Sequence, residues 1–121
     1  MSGSKRRITD YSDWFALLWG ATIGYLSLAP LSILPEIAVS DKLEHFAAYG
    51  LLGFLGVISR RSKRATLWML FAIIAYGAAI EIIQPYVNRY MELWDFIANA
   101  GGALFGATLG AVSSRATAWS G

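Results

Sequence analysis

Asp41, Lys42, Glu44 and His45 fall within five consecutive positions at the start of the stretch DKLEHFAAYG (41–50), and His45 is the only histidine in the chain. Carboxylates beside an imidazole are the materials of proton transfer, since histidine is the side chain type that titrates nearest neutrality and a neighbouring acid can orient it. Two further polar pairs interrupt apolar sequence: Glu81 with Gln84 in AIEIIQPY, and Asp95 with Asn99 in LWDFIANAGG. Helical spacing places Asp41, His45 and Tyr49 on one face, and gives Glu81 with Gln84, and Asp95 with Asn99, a face each. Lys42 and Arg89 are the cations nearest these groups in sequence. Both can meet phosphate through charge-assisted hydrogen bonds, the guanidinium bidentately.

The candidate ligand-binding residues are therefore Asp41, Lys42, His45, Tyr49, Glu81, Gln84, Arg89, Asp95 and Asn99. For catalysis the candidates are His45 as general base and Asp41 or Glu81 as its orienting acid. No serine or cysteine nucleophile is placed beside them, so water or a substrate group would be attacked. One histidine among carboxylates is a weak zinc signature. No metal and no cofactor is assigned.

Each residue also has a plainer reading. Asp41 with Glu44 three positions on fits a capping box, with Asp41 as N-cap and Lys42 turned to the headgroups of a bilayer. Asp95 suits the first turn of a helix, where the positive helix end favours an acid. Glu81 can be a shallow residue reaching the interface. Asn99 has no such explanation: it lies about a turn deeper, where an unpaired amide is costly. Its expected partner is Glu81 or Gln84 on a neighbouring antiparallel helix.

The elements that must position these groups follow from composition. The chain has 121 residues, 56% hydrophobic and 15% charged, with a mean hydropathy of +0.49. A small body has much surface for its volume and needs a polar coat in water, which this composition does not supply. That points to the membrane. The net charge of +2 is too small to argue for nucleic acid, and the absence of cysteine excludes disulfides, thiolate metal sites and cysteine nucleophiles.

Four apolar segments, about 14–34, 43–59, 65–86 and 94–113, predict a single all-α domain, a compact bundle of four transmembrane helices. A span takes about 20 residues, with about 17 to 25 tolerated, so the second is at the short limit. The first is read as a retained helix, because its apolar run exceeds the roughly 7 to 15 residues of a signal peptide. Ser12 or Asp13 is its expected N-cap, and Pro30 and Pro35 disfavour helix at its far end. Lys5, Arg6 and Arg7 precede the first segment, RRSKR (60–64) joins the second to the third, and Arg115 follows the fourth. The positive-inside bias then puts both termini in the cytoplasm and the three polar pairs at the outer face. Gly102, Gly106 and Gly110, like Gly20 and Gly24, recur at four-residue steps that let helix backbones approach closely. Packing within the bundle is the leading reading of that stripe, and a homo-oligomer interface the other.

Taken together, DKLEHFAAYGLLGFL and EIIQPYVNRYMELWDFIANAGGALFG resemble the two signature regions of the VanZ-like family of small bacterial membrane proteins. The resemblance covers about 41–110, and the matching residues are Asp41, Lys42, His45, Phe46, Tyr49, Glu81, Gln84, Arg89, Asp95, Asn99 and Gly102. Glu92 and Leu93 stand where many relatives carry small hydroxyl residues. The resemblance implies a multi-pass protein of the bacterial plasma membrane and cell envelope, in a family whose namesake is associated with low-level resistance to teicoplanin. It brings no assigned reaction. The expected function is an outward-facing polar pocket that binds or handles an envelope lipid, a lipid-linked precursor or a glycopeptide-like ligand, with membrane lipids as partners and no nucleic acid. The alternatives are an intramembrane hydrolase or transferase using His45, and a structural subunit of a membrane complex.

Overall fold

Among the described residues, four α-helices follow one another: α1 Ser12–Leu28, α2 Asp41–Val57, α3 Lys63–Ile83 and α4 Leu93–Ser120, with a 3-10 turn, Gln84–Val87, closing α3. The computed structural model describes residues 11–30, 32, 34 and 40–120, with side chains described as far as Ser114. No strand occurs among the described residues. The basic residues Lys5, Arg6 and Arg7, together with Pro35 and the side chain of Arg115, lie outside them.

The helix ends have local causes. α1 stops at Leu28 because Ala29 is extended, with ψ 154°, as a residue before proline is pushed to be. The first helix is thus shorter than the 14–34 segment. Its N-cap is Tyr11, without a side-chain bond, and not Ser12 or Asp13. Asp13 is drawn away by Arg60, which pairs with it, and by the Ser59 hydroxyl, which donates to it over 2.8 Å.

The start of α2 also differs from the expected capping box. Ser40 is the N-cap, and its Oγ accepts the Leu43 N–H at 3.1 Å. A short serine on extended backbone reaches that amide from one position earlier. Asp41 becomes a first-turn acid with its carboxylate free for other partners. Ser62 caps α3 in the same way, accepting from the Ala65 N–H at 3.0 Å. Beyond α3 the 3-10 turn ends at Asn88, which takes a left-handed φ of 62°, a conformation asparagine tolerates better than most residues. The chain then reverses into α4.

α2 and α4 pack backbone to backbone, and glycine makes this possible. A Cβ on Gly102 would overlap the Phe46 carbonyl, one on Gly106 the Gly50 carbonyl, and one on Gly53 would fall 2.5 Å from the Ala103 carbonyl oxygen. The four-residue glycine stripe of α4 is therefore used inside the chain. Ile23, Tyr49, Leu52, Ile73, Ile80 and Ala103 form the apolar core between the helices. Trp19 donates its indole N–H to the Ala48 carbonyl at 2.9 Å, and the Tyr76 hydroxyl donates to the Gly20 carbonyl at 2.5 Å, binding α1 to α2 and α3.

Polarity is distributed against the habit of a water-soluble bundle. Glu81, Gln84, Asp95 and Asn99 are buried, while Trp14, Leu17, Trp68 and Phe71 are more than 60% exposed. Lys63–Val87 and Leu93–Ser114 are long and apolar enough to cross a membrane. α1 and α2, at 17 residues each, reach only the lower limit of a span.

Candidate functional site

The first turns of α2 and α4 meet at one end of the bundle, and their polar residues interlock. Lys42 on α2 places its ammonium 2.5 Å from Asp95 Oδ1, 2.9 Å from Glu92 Oε2 and 3.2 Å from Asp41 Oδ2. Lys42 therefore reaches along the bundle end toward α4, because three carboxylates hold it. The Asp95 carboxylate, then that of Glu92, holds the Lys42 ammonium well above the usual lysine range. For Asp41, partial burial pushes the carboxyl up, but the Lys42 hydrogen bond and the His45 charge outweigh it, and the net shift is downward.

His45 lies one turn below Asp41. Its Nδ1 is 2.8 Å from Asn99 Oδ1. An amide oxygen only accepts, so Nδ1 carries the hydrogen and Nε2 points the other way. There it faces Asp41 Oδ1 at 3.6 Å and Asp95 Oδ2 at 3.5 Å. Asn99, 2% exposed, thus finds its partner in His45 and not in Glu81 or Gln84. The reason is the close approach of α2 and α4, which brings the imidazole within reach before either α3 side chain.

Glu81 enters from α3. Its Oε2 accepts the Glu92 backbone N–H at 3.3 Å, while Oε1 is buried without a partner. The carboxylate is within electrostatic reach of Asp95, His45 and Asp41. Tyr49 lies against Gly77, one turn from Glu81 on α3, and its hydroxyl is also buried without a partner. The interior side of the cluster therefore contains a run of unsatisfied polar atoms.

Gln84 and Arg89 have a different task. Gln84 Nε2 donates to the Ser27 carbonyl at 3.1 Å, and Arg89 Nη1 to the Ala29 and Leu26 carbonyls at 2.8 and 3.1 Å. Together they satisfy the carbonyls that a helix end leaves without intrahelical donors. Gln84 Oε1 remains buried without a partner. Of the sequence candidates, Asp41, Lys42, His45, Asp95 and Asn99 come into direct contact, Glu81 joins them through the α4 start, and Arg89 is committed to α1. Glu92 is a member that the sequence does not single out as a candidate ligand-binding residue. Its signal was an acid three residues before Asp95, at the mouth of a helix.

An apolar cleft of about 420 Å³ opens elsewhere, lined by Leu17, Gly20, Leu52, Ile73 and Tyr76 among others, with Asp13 and Arg60 also on its wall. None of its lining residues belongs to the polar cluster. Set against family models, curated proteins and solved structures, the chain matches none.

Chemically, the cluster offers acceptors. Asp41, Glu92 and Asp95 are set around the ammonium of Lys42, Glu81 lies behind them on the Glu92 N–H, and the imidazole has a fixed tautomer. Such a site favours groups that donate hydrogen bonds or carry positive charge.

Proposed function

We propose that this chain is an integral membrane protein of four crossing helices, with both termini cytoplasmic, whose outward-facing polar end binds the headgroup of an envelope amphiphile. The observation that supports it is the inversion of the bundle. Polar atoms of Tyr49, Glu81 and Gln84 are buried without partners, while the outer surface is rich in exposed aromatic and aliphatic side chains. A buried polar atom left unsatisfied costs about 1 to 3 kcal/mol, so a ligand that supplies donors recovers that energy.

Phosphate is the less suitable headgroup, because Lys42 is already held by carboxylates and Arg89 by α1 carbonyls. Hydroxyl, amine and amide N–H groups fit better. A sugar-bearing lipid, a lipid-linked precursor and a glycopeptide-like ligand all present them. The resemblance of 41–110 to VanZ-like proteins of the bacterial plasma membrane agrees with this reading and belongs to the same proposal.

Native mass spectrometry of the detergent-purified protein, wild type beside His45→Ala, tests it. The wild type is expected to retain an amphiphile that the variant sheds while both keep their helical content. Equal retention by the two folded proteins sinks the proposal. The hydrolase alternative draws on the fixed tautomer of His45. It fails if His45→Gln leaves the cellular phenotype of a deletion strain fully complemented.

A further inference from the structure

The spacing of donor atoms around His45 Nε2 is wrong for hydrogen bonding and right for something else. Asp41 Oδ1 at 3.6 Å and Asp95 Oδ2 at 3.5 Å are too far to accept a good N–H bond from the ring. Ligands held about 2.1 Å from one ion at near-tetrahedral angles stand about 3.4 Å apart. The three donors of Asp41, His45 and Asp95 all lie within 4.8 Å of one another. The other ring nitrogen is held by Asn99 at 2.8 Å, which is how an imidazole ligand is usually oriented by an outer partner.

A second observation stands apart from these three residues. Glu81 is 3% exposed and keeps Oε1 without a partner. Its other oxygen is fixed on the Glu92 N–H at the mouth of α4, so the carboxylate is set against the end of α4 that carries Asp95. Three carboxylates, those of Asp41, Glu92 and Asp95, hold the Lys42 ammonium, while Glu81 keeps an oxygen free beside the α4 start. Lys42 is only partly covered, with 42% of its side chain exposed, and a flexible side chain of this kind can leave.

From this geometry we infer that Asp41, His45 and Asp95 form a divalent-cation site, with Lys42 as the tethered positive charge that occupies the carboxylates until an ion displaces it. Mixed imidazole and carboxylate donors suit an ion of the Mn²⁺ or Zn²⁺ type. The site rests on reading this end of the bundle as a ligand pocket. There the ion supplies the positive charge that Lys42 otherwise provides and leaves a coordination position facing the amphiphile's hydroxyls.

The test is Mn²⁺ titration of chelator-stripped, detergent-purified protein, followed by loss of the free-ion paramagnetic resonance signal. The wild type is expected to take up one Mn²⁺ per chain. Lys42→Met, which removes the competitor, should bind at least tenfold more tightly, and Asp95→Asn at least tenfold more weakly. Asp41→Asn, altering an exposed ligand, provides a second weakened variant should Asp95→Asn fail to fold. An affinity in Lys42→Met no better than wild type, or binding in folded Asp41→Asn equal to wild type, overturns the inference. Amphiphile retention is measured on the same samples. Retained amphiphile in folded protein that takes up no Mn²⁺ sinks the cation site and spares the pocket, whereas Mn²⁺ uptake without amphiphile does the reverse.

Discussion

The Lys42 ammonium, 2.5 Å from Asp95 Oδ1, joins the first turn of α2 to the first turn of α4 across 53 residues of sequence. Two helices that start at the same end of a bundle run parallel, and their glycine-lined contact brings both positive helix ends together. The acids Asp41, Glu92 and Asp95 compensate those ends, and Lys42 compensates the acids. The cluster is thus a consequence of how α2 and α4 pack, and its chemistry depends on the glycines that set their distance.

That dependence predicts opposite outcomes at neighbouring glycines. Gly106→Ala drives a Cβ into the Gly50 carbonyl, so backbones must part, at a cost of about 1 to 3 kcal/mol by the usual scale of overpacking. Gly101→Ala meets only the Phe46 ring at 3.7 Å, an ordinary contact, and gains up to about 1 kcal/mol of helix propensity. Thermal unfolding in detergent is expected to show a lowered midpoint for the first and an unchanged or raised one for the second.

The buried end of the cluster predicts a further cost. Asn99→Ala removes the acceptor of the His45 Nδ1–H and leaves that donor without its partner. The expected loss is about 1 to 3 kcal/mol, read as a lower midpoint in chemical or thermal unfolding. Asn99→Asp, which keeps an acceptor oxygen, is expected to lose less. Equal losses in the two variants would show that the hydrogen bond is not what Asn99 contributes.

Much of this is legible in the sequence. Four helices follow from four apolar runs, and their polar interruptions at Asp41, His45, Asp95 and Asn99 do meet. What sequence spacing does not encode is which helices are neighbours at atomic distance. The pairing of Asn99 with His45 follows from the α2–α4 glycine contact, whereas helix order alone suggested α3. From sequence Arg89 reads as a ligand-binding cation; in the fold it is committed to the carbonyls at the end of α1. Pro30 breaks α1 early and leaves carbonyls that Arg89 and Gln84 satisfy. Ser40 outranks Asp41 as a cap for a reason of one residue's register, which is the scale at which helix ends are hardest to read.

The lowered pKa of Asp41 gives a pH dependence with a definite sign. Its folded value lies below its ordinary value of 3.8, so the unfolded chain binds its proton first as pH falls. The stabilisation from this group is complete above the ordinary value and is lost as pH drops through the depressed folded value. Between about pH 6 and 2, the wild-type midpoint is expected to fall more steeply than that of Asp41→Asn, with the two curves converging at the acid end. Parallel curves would mean that Asp41 is not bound to Lys42 and His45 in solution. The Lys42 shift has the other sign: its contribution is full below the ordinary lysine value of 10.5 and is lost as pH rises from there through the raised one.

Membrane orientation can be read chemically, because the chain contains no cysteine to confuse the labelling. Arg61 lies between α2 and α3, and Tyr90 between the 3-10 turn and α4; both are exposed. If all four helices cross with the basic link inside, Arg61→Cys in intact cells is shielded from a membrane-impermeant thiol reagent until the membrane is opened. Tyr90→Cys reacts at once. Neither position takes part in the cluster or in the glycine contact, so both variants are expected to fold as the parent does. Labelling of both in intact cells would place the two links on one side. α3 would then fail to cross, and the four-crossing topology would fall.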